Sequence, residues 1–160
     1  MMEKTFNQPF INSALNVIAT MSSLPVAVGE SSMGVAGAKF GCITGIIGMS
    51  SVELSGNMLI RFEEAAILQI VNTMLREQFT QVNKDIIDAV GEITNMVVGG
   101  AKMELAKLGH IFDMASPAVV EGNQVHMVQS APDSALLLPF SVPHGKFMIE
   151  AVFVKKTRCK

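Results

Sequence analysis

Cysteine is scarce in this sequence: Cys42 and Cys159 are the only two among 160 residues, and neither belongs to a CxxC pair. That excludes a disulfide framework and points to a reducing compartment, so a cytoplasmic protein is expected. Charge is scarce as well, at 16% of residues against 49% hydrophobic, yet no run approaches the roughly 18 apolar residues of a membrane span. Pro9, Pro25 and several polar residues interrupt the longest uncharged stretch, 5–29. A soluble chain without membrane insertion is expected. The Met-Met-Glu-Lys opening lacks a basic region feeding an apolar one, so no signal peptide is expected either.

Basic charge is thin outside the last six residues. Lys155, Lys156, Arg158 and Lys160 take four of the 12 cations, leaving eight against 14 acidic residues. Such a body does not attract nucleic acid, and the basic tail reads as a solvated chain end with no assigned role. Metal and nucleotide motifs are missing too. His110, His126 and His144 stand apart without HxH or HExxH spacing and read as surface or turn residues. Gly34, Gly37, Gly41, Gly45 and Gly48 form neither GxxxxGK[ST] nor GxGxxG, and in strand territory they are read as points of twist or bulging. Cys42 lies in an apolar run with no catalytic histidine motif nearby, which argues against a thiol enzyme. The 12 methionines are scattered over core-facing positions, where methionine fills gaps. No linker, repeat or low-complexity tract divides the chain, so residues 1–160 are expected to form one domain.

All six prolines fall outside the stretch from Val26 to Ser116, which leaves room for long helices. Phe10, Ala14, Val17, Ile18 and Met21 share a helical face, and the spacing predicts a helix over about 8–23 ending before Pro25. Residues 26–61 turn to Gly, Val, Ile and Ser; three strands are expected there, including runs 42–49 and 52–62 divided by Ser50-Ser51. The periodicity of 62–77 predicts a second helix and that of 83–108 a third, with Asn83 as N-cap and Gly109 as stop. Strand-like runs follow near 114–120, 124–128, 135–140 and 147–154, with Gly122-Asn123 as a turn between the first two. Pro139 and Pro143 place their strand at an edge or bulge. The expected fold is α+β, a layered, mainly antiparallel sheet packed with long helices in the order αβββααββββ.

The third helix carries the chemistry. At about 100° per residue, Val90, Ile93, Val97, Ala101 and Leu108 lie within about 60° of Ile86 and form a core stripe. Asp88, Glu92, Asn95, Gly99 and Lys102 gather on the opposite side, with Glu92 and Asn95 adjacent at i,i+3. Gly91 and Gly99 stand one turn either side of Asn95, and each glycine costs a helix roughly 1 kcal/mol against alanine. Two explanations are open: a bare surface that lets Asn95 enter a partner's cleft, or close helix packing at Gly99-Gly100. Asp88, Gly91, Gly99 and Lys102 are therefore candidates for contacting a partner around Glu92 and Asn95.

Residues 92–101, Glu-Ile-Thr-Asn-Met-Val-Val-Gly-Gly-Ala, resemble the ExxN signature of the CheC, CheX and FliY chemotaxis phosphatases. The segments Gln8-Pro9-Phe10-Ile11, Met58-Leu59-Ile60-Arg61-Phe62, Pro139-Phe140 and Phe147-Met148-Ile149-Glu150 are also similar to a CheX-like domain, so the resemblance runs over nearly the whole chain. CheC-type members carry a second ExxN motif, whereas the equivalent part of the first helix reads Ser13-Ala14-Leu15-Asn16 and lacks the glutamate. One site per chain and the CheX-like branch are implied.

The resemblance implies a phosphatase that hydrolyses the aspartyl-phosphate of a phosphorylated CheY-type response regulator. Asn95 would orient the attacking water and Glu92 would contact the receiver's lysine. A carboxamide has both acceptor and donors for a water, and phosphoryl transfer needs mainly positioning. No cofactor of its own is implied; Mg²⁺ is expected in the partner's acidic site. The alternative is a non-catalytic receiver-binding or flagellar-switch-type scaffold on the same fold. A homodimer is also expected, from apolar late strands that would leave a sheet edge to be paired and from the family's two-fold assemblies.

Overall fold

The computed structural model describes residues 4–34, 40–122 and 135–156. In chain order they form α1 (Lys4–Ser22), β1 (Ala27–Val28), β2 (Ser32–Gly34), β3 (Ile43–Ser50), β4 (Leu54–Phe62), α2 (Glu64–Leu75), α3 (Lys84–Lys107), β5 (Asp113–Met114), β6 (Ala118–Glu121), β7 (Ala135–Val142) and β8 (Gly145–Lys155). The architecture is α+β, with one antiparallel sheet whose path runs β1-β7-β8-β4-β3-β5; β2 also pairs with β7, and β6 with β3.

Strand alternation decides which face meets the helices. Ile43, Ile47 and Met49 on β3, Met58, Ile60 and Phe62 on β4, and Phe147, Ile149 and Ala151 on β8 all enter one core cluster with α1, α2 and α3. The register supports this, since Gly45 pairs with Ile60 and Ile60 with Ile149, so these side chains project to the same side. The intervening residues Thr44, Leu59, Arg61, Glu150 and Val152 are also buried, on the other face. There Arg61 Nη2 lies 3.2 Å from Glu150 Oε2, both side chains essentially inaccessible.

Several expectations shift. Helix α1 begins a turn before residue 8, so Pro9 falls inside it and removes one i→i−4 bond. Its end agrees: Ser22 Oγ donates to Ile18 O at 2.5 Å, and Ser23 takes φ 59°. Four strands, rather than three, occupy the described part of 26–61, because two short strands lie along β7. Strands β7 and β8 lie inside the sheet, so the late apolar strands are not the free edge expected for them. Pro139 sits in β7 at the break between its partners: Val28 pairs with Phe140 and Ser32 with Leu137, while Gly29 N–H donates to Pro139 O at 2.8 Å. Pro143 is in the β7–β8 turn, not in a strand. The expected strand 124–128, His126, Gly37 and the tail residues Arg158, Cys159 and Lys160 lie outside the described residues.

Candidate functional site

Helix α3 is capped at both ends by local chemistry. Asn83, in extended conformation, accepts from Ile86 N–H at 3.0 Å through its side chain, and Asp85 and Lys107 complement the helix dipole in the first and last turns. At the other end Gly109 takes φ 92°, with Gly109 N–H donating to Ala106 O and His110 N–H to Leu105 O at 3.0 and 2.9 Å, a Schellman closure. Leu108 has left the helical path as the C-cap and is 57% exposed, so it does not continue the core stripe; Leu105 takes that place, fully buried.

Two close approaches set the rotation of α3. Thr94 is fully buried with its hydroxyl on Val90 O at 2.7 Å, and it lies against Gly45 of β3 so closely that a Cβ on Gly45 would overlap its Oγ1. Gly45 therefore lets the helix lie down on the sheet, a packing reason rather than strand twist. One turn on, Ser13 of α1 donates to Val97 O at 2.5 Å, and a Cβ on Gly100 would collide with that serine. Ser13-Ala14-Leu15-Asn16 thus begins with a buried α1–α3 contact and presents no second copy of the exposed pair.

Held this way, α3 turns Asp88, Glu92 and Asn95 outward and leaves Gly91, Gly99 and Lys102 half-buried. The two glycines beside Asn95 differ. A Cβ on Gly99 would meet nothing within 4 Å, whereas one on Gly91 would stand 3.5 Å from Val119 Cγ2 of β6. Asp88, Gly91, Glu92 and Asn95 line a groove of about 570 Å³ whose other lining residues are Ile87, Pro117 and Val119. Gly99 and Lys102 are not part of it. The wall supplied by β6 had no signal in the sequence, because it arises from the pairing of β6 with β3, Gly45 opposite Val119.

Alanine at Gly99 is expected to stabilise the protein by up to about 1 kcal/mol, since it removes a helix glycine without a clash. Alanine at Gly45 is expected to cost about 1–3 kcal/mol through overpacking against Thr94. Urea unfolding of the two variants checks the contrast; equal shifts would contradict this account of how α3 is seated.

The other candidates remain apart. Exposed His110 lies against Phe6 with ring centroids 5.0 Å apart and the ring planes tilted by 44°, and His144 is in the β7–β8 turn. Cys42 is half-buried; burial pushes its thiol up, and the nearby Glu64 and Glu121 carboxylates push it the same way, away from nucleophilic thiolate. Among the described residues no group of three His, Cys, Asp or Glu could hold a metal, and no helix is long and apolar enough to cross a membrane. Met33, Met96 and Met103 are exposed instead of filling the core.

Comparison with known proteins adds an independent line. The family model described as chemotaxis phosphatase CheX matches residues 43–141, a span that includes Glu92 and Asn95. The CheY-P phosphatase CheX of Thermotoga maritima is 29% identical over 98 residues, which is 61% of this chain and 61% of that protein. The match to this curated relative thus spans about three-fifths of its length. The crystal structure of chemotaxis protein CheX from Vibrio vulnificus superposes with a TM-score of 0.86 at 39% identity, covering 94% of this chain and 99% of that one. A chain of the CheX-CheY-BeF3-Mg²⁺ complex from Borrelia burgdorferi shares the fold at a TM-score of 0.76 and 18% identity, covering 92% of this chain and 97% of that one.

Proposed function

The chain belongs to the CheX family of chemotaxis phosphatases, and from that premise we propose that it hydrolyses the aspartyl-phosphate of a CheY-type response regulator with Asn95 and Glu92. The observation that carries the reading is their joint display: both side chains are exposed at i,i+3 on a helix whose other faces are pinned to the sheet and to α1. Asn95 has no hydroxyl, thiol or imidazole to form a covalent intermediate or act as a base near neutral pH. Its carboxamide oxygen can accept a hydrogen bond from a water while its N–H donates to a phosphoryl oxygen. The water oxygen then bonds to phosphorus as the bond from phosphorus to the aspartate oxygen breaks, and the water's proton leaves with inorganic phosphate. Positioning of this kind accounts for much of phosphoryl-transfer catalysis. Glu92 gives the partner's lysine a charge-assisted contact that fixes the approach. The Mg²⁺ of such a reaction is held by the receiver, in keeping with the composition of the Borrelia complex.

The direct test mixes the protein with each phosphorylated receiver of the same genome and follows loss of phosphate. The expected result is one receiver losing phosphate far faster than it does alone. If none does, the phosphatase reading fails and the scaffold reading replaces it.

The dimer is part of the proposal, with its interface moved. A dimer that leaves the groove beside β6 open joins through the opposite edge, where both residues of β1 and two of the three in β2 are exposed. Sedimentation equilibrium is expected to give twice 17.1 kDa at micromolar concentrations; a monomer throughout that range refutes it.

A further inference from the structure

We propose that Gly99 is a positioning residue for the reaction: it gives the receiver's main chain a bare stretch of α3 to rest on, and so sets how deeply Asn95 reaches the phosphoryl group. This rests on the phosphatase reading above. A glycine inside a 24-residue helix costs stability against alanine, and the usual internal reasons for one are missing here. Gly99 is not among the glycines with positive φ. Nor does packing need it: a Cβ on Gly100 would strike Ser13 and one on Gly45 would strike Thr94, whereas one on Gly99 would meet nothing within 4 Å among the described residues. The space it leaves opens outward, so the neighbour that fills it comes from another chain.

Position identifies that chain as the receiver. Gly99 follows Asn95 by one turn of α3, about 6 Å along the axis and about 40° round it. A receiver that brings a phosphoryl oxygen within hydrogen-bond reach of the Asn95 side chain, about 3 Å, is already against the helix beside it. Asparagine is short: with one methylene between backbone and carboxamide, Asn95 enters a cleft only if the helix backbone comes close too, and a residue with no Cβ at the next turn allows that. Met96 and Met103, three residues before Gly99 and four after it, are 40% and 68% exposed. Unbranched thioether side chains adapt to an approaching surface, so they can flank the bare backbone with apolar contact. A main chain passing over a helical glycine also gains Cα–H···O contacts that a side chain would block.

The test measures melting temperature, half-saturating receiver concentration and saturating rate for Gly99→Ala and Gly99→Leu, with the receiver that the wild-type protein dephosphorylates. Both substitutions supply a better helix former, so melting temperatures at or above wild type are expected, which separates their effect from misfolding. A methyl at Gly99 holds the two chains apart by about 1 Å, and a misplacement of that size can cost roughly 100-fold in rate. The saturating rate is therefore expected to fall by about tenfold or more for alanine and further for leucine, so that the more stable protein is the slower one. Ala65→Leu, added bulk at an exposed position of α2, should change neither the rate nor half-saturation. Unchanged saturating rates in both Gly99 variants, a loss confined to half-saturation, or a comparable fall for Ala65→Leu overturns the proposal. So does a Gly99→Leu protein with half the wild-type sedimentation mass, which would assign this face to a second copy of the chain. Failure of the wild-type protein to dephosphorylate any receiver fails the parent reading instead.

Discussion

Asn95→Ala is expected to lower the dephosphorylation rate at saturating receiver by about 100- to 1,000-fold, roughly the 2.7–4 kcal/mol lost when one preorganised polar group is removed from another hydrolytic site. The reason is geometric. Asn95 is exposed on a helix seated by Thr94 against Gly45 and by Ser13 on Val97 O, so truncating it deletes the water's partner and leaves its support unchanged. Binding of a receiver carrying a stable phosphoryl mimic should survive the substitution. Glu92→Gln divides the labour the other way: it keeps the shape but removes the charge, and is expected to cost about 1.5–3 kcal/mol of affinity with a much smaller change in saturating rate. Stopped-flow dephosphorylation at saturating and limiting receiver, beside titration with the mimic, separates the two. An Asn95→Ala variant with a normal saturating rate would falsify the water-positioning role.

What was legible in the sequence depended on how local its cause is. The caps of α3 follow from residues within four positions of each other, and Asn83 and Gly109 do in the structure what their side chains and φ preferences dictate. The outward display of Asp88, Glu92 and Asn95 follows from the 3.6-residue period and from the apolar stripe opposite. Leu108 breaks that arithmetic because the period stops applying at the cap. The remaining features are non-local. Gly45 has a packing role only because β3 runs beneath Thr94, 49 positions away in sequence. Pro117 and Val119 join the site only because β6 turns back to pair with β3. The apolarity of β7 and β8 suggested an edge that needed covering, whereas short strands with little side-chain burial take the edges and the most apolar strands take the middle. Near-continuous apolar runs are the signature of strands buried on both faces, and read in that way β8 belongs inside.

Glu150→Ala is expected to destabilise the fold by about 3–5 kcal/mol, the cost of leaving a buried cation without its counterion. That is a large share of the roughly 5–15 kcal/mol that holds such a domain together. Arg61 and Glu150 sit on neighbouring strands β4 and β8, on the sheet face turned away from α3, with both side chains essentially inaccessible. Arg61 is not fully satisfied: among the described residues its Nε and Nη1 find no acceptor, and Thr44 Oγ1, on the cross-strand neighbour of Arg61, finds no hydrogen-bond partner. An arginine that already lacks two hydrogen bonds has little to fall back on once the carboxylate is gone. The same under-satisfaction predicts that the double variant Arg61→Met/Glu150→Leu recovers most of the loss or exceeds wild type, because it removes both desolvated charges and fills their space. Urea unfolding of the two single variants and the double gives the coupling directly. Because the pair lies across the sheet from Glu92 and Asn95, the double variant should retain the wild-type saturating rate. A double variant less stable than Glu150→Ala alone would show that the charges stabilise the sheet on their own account.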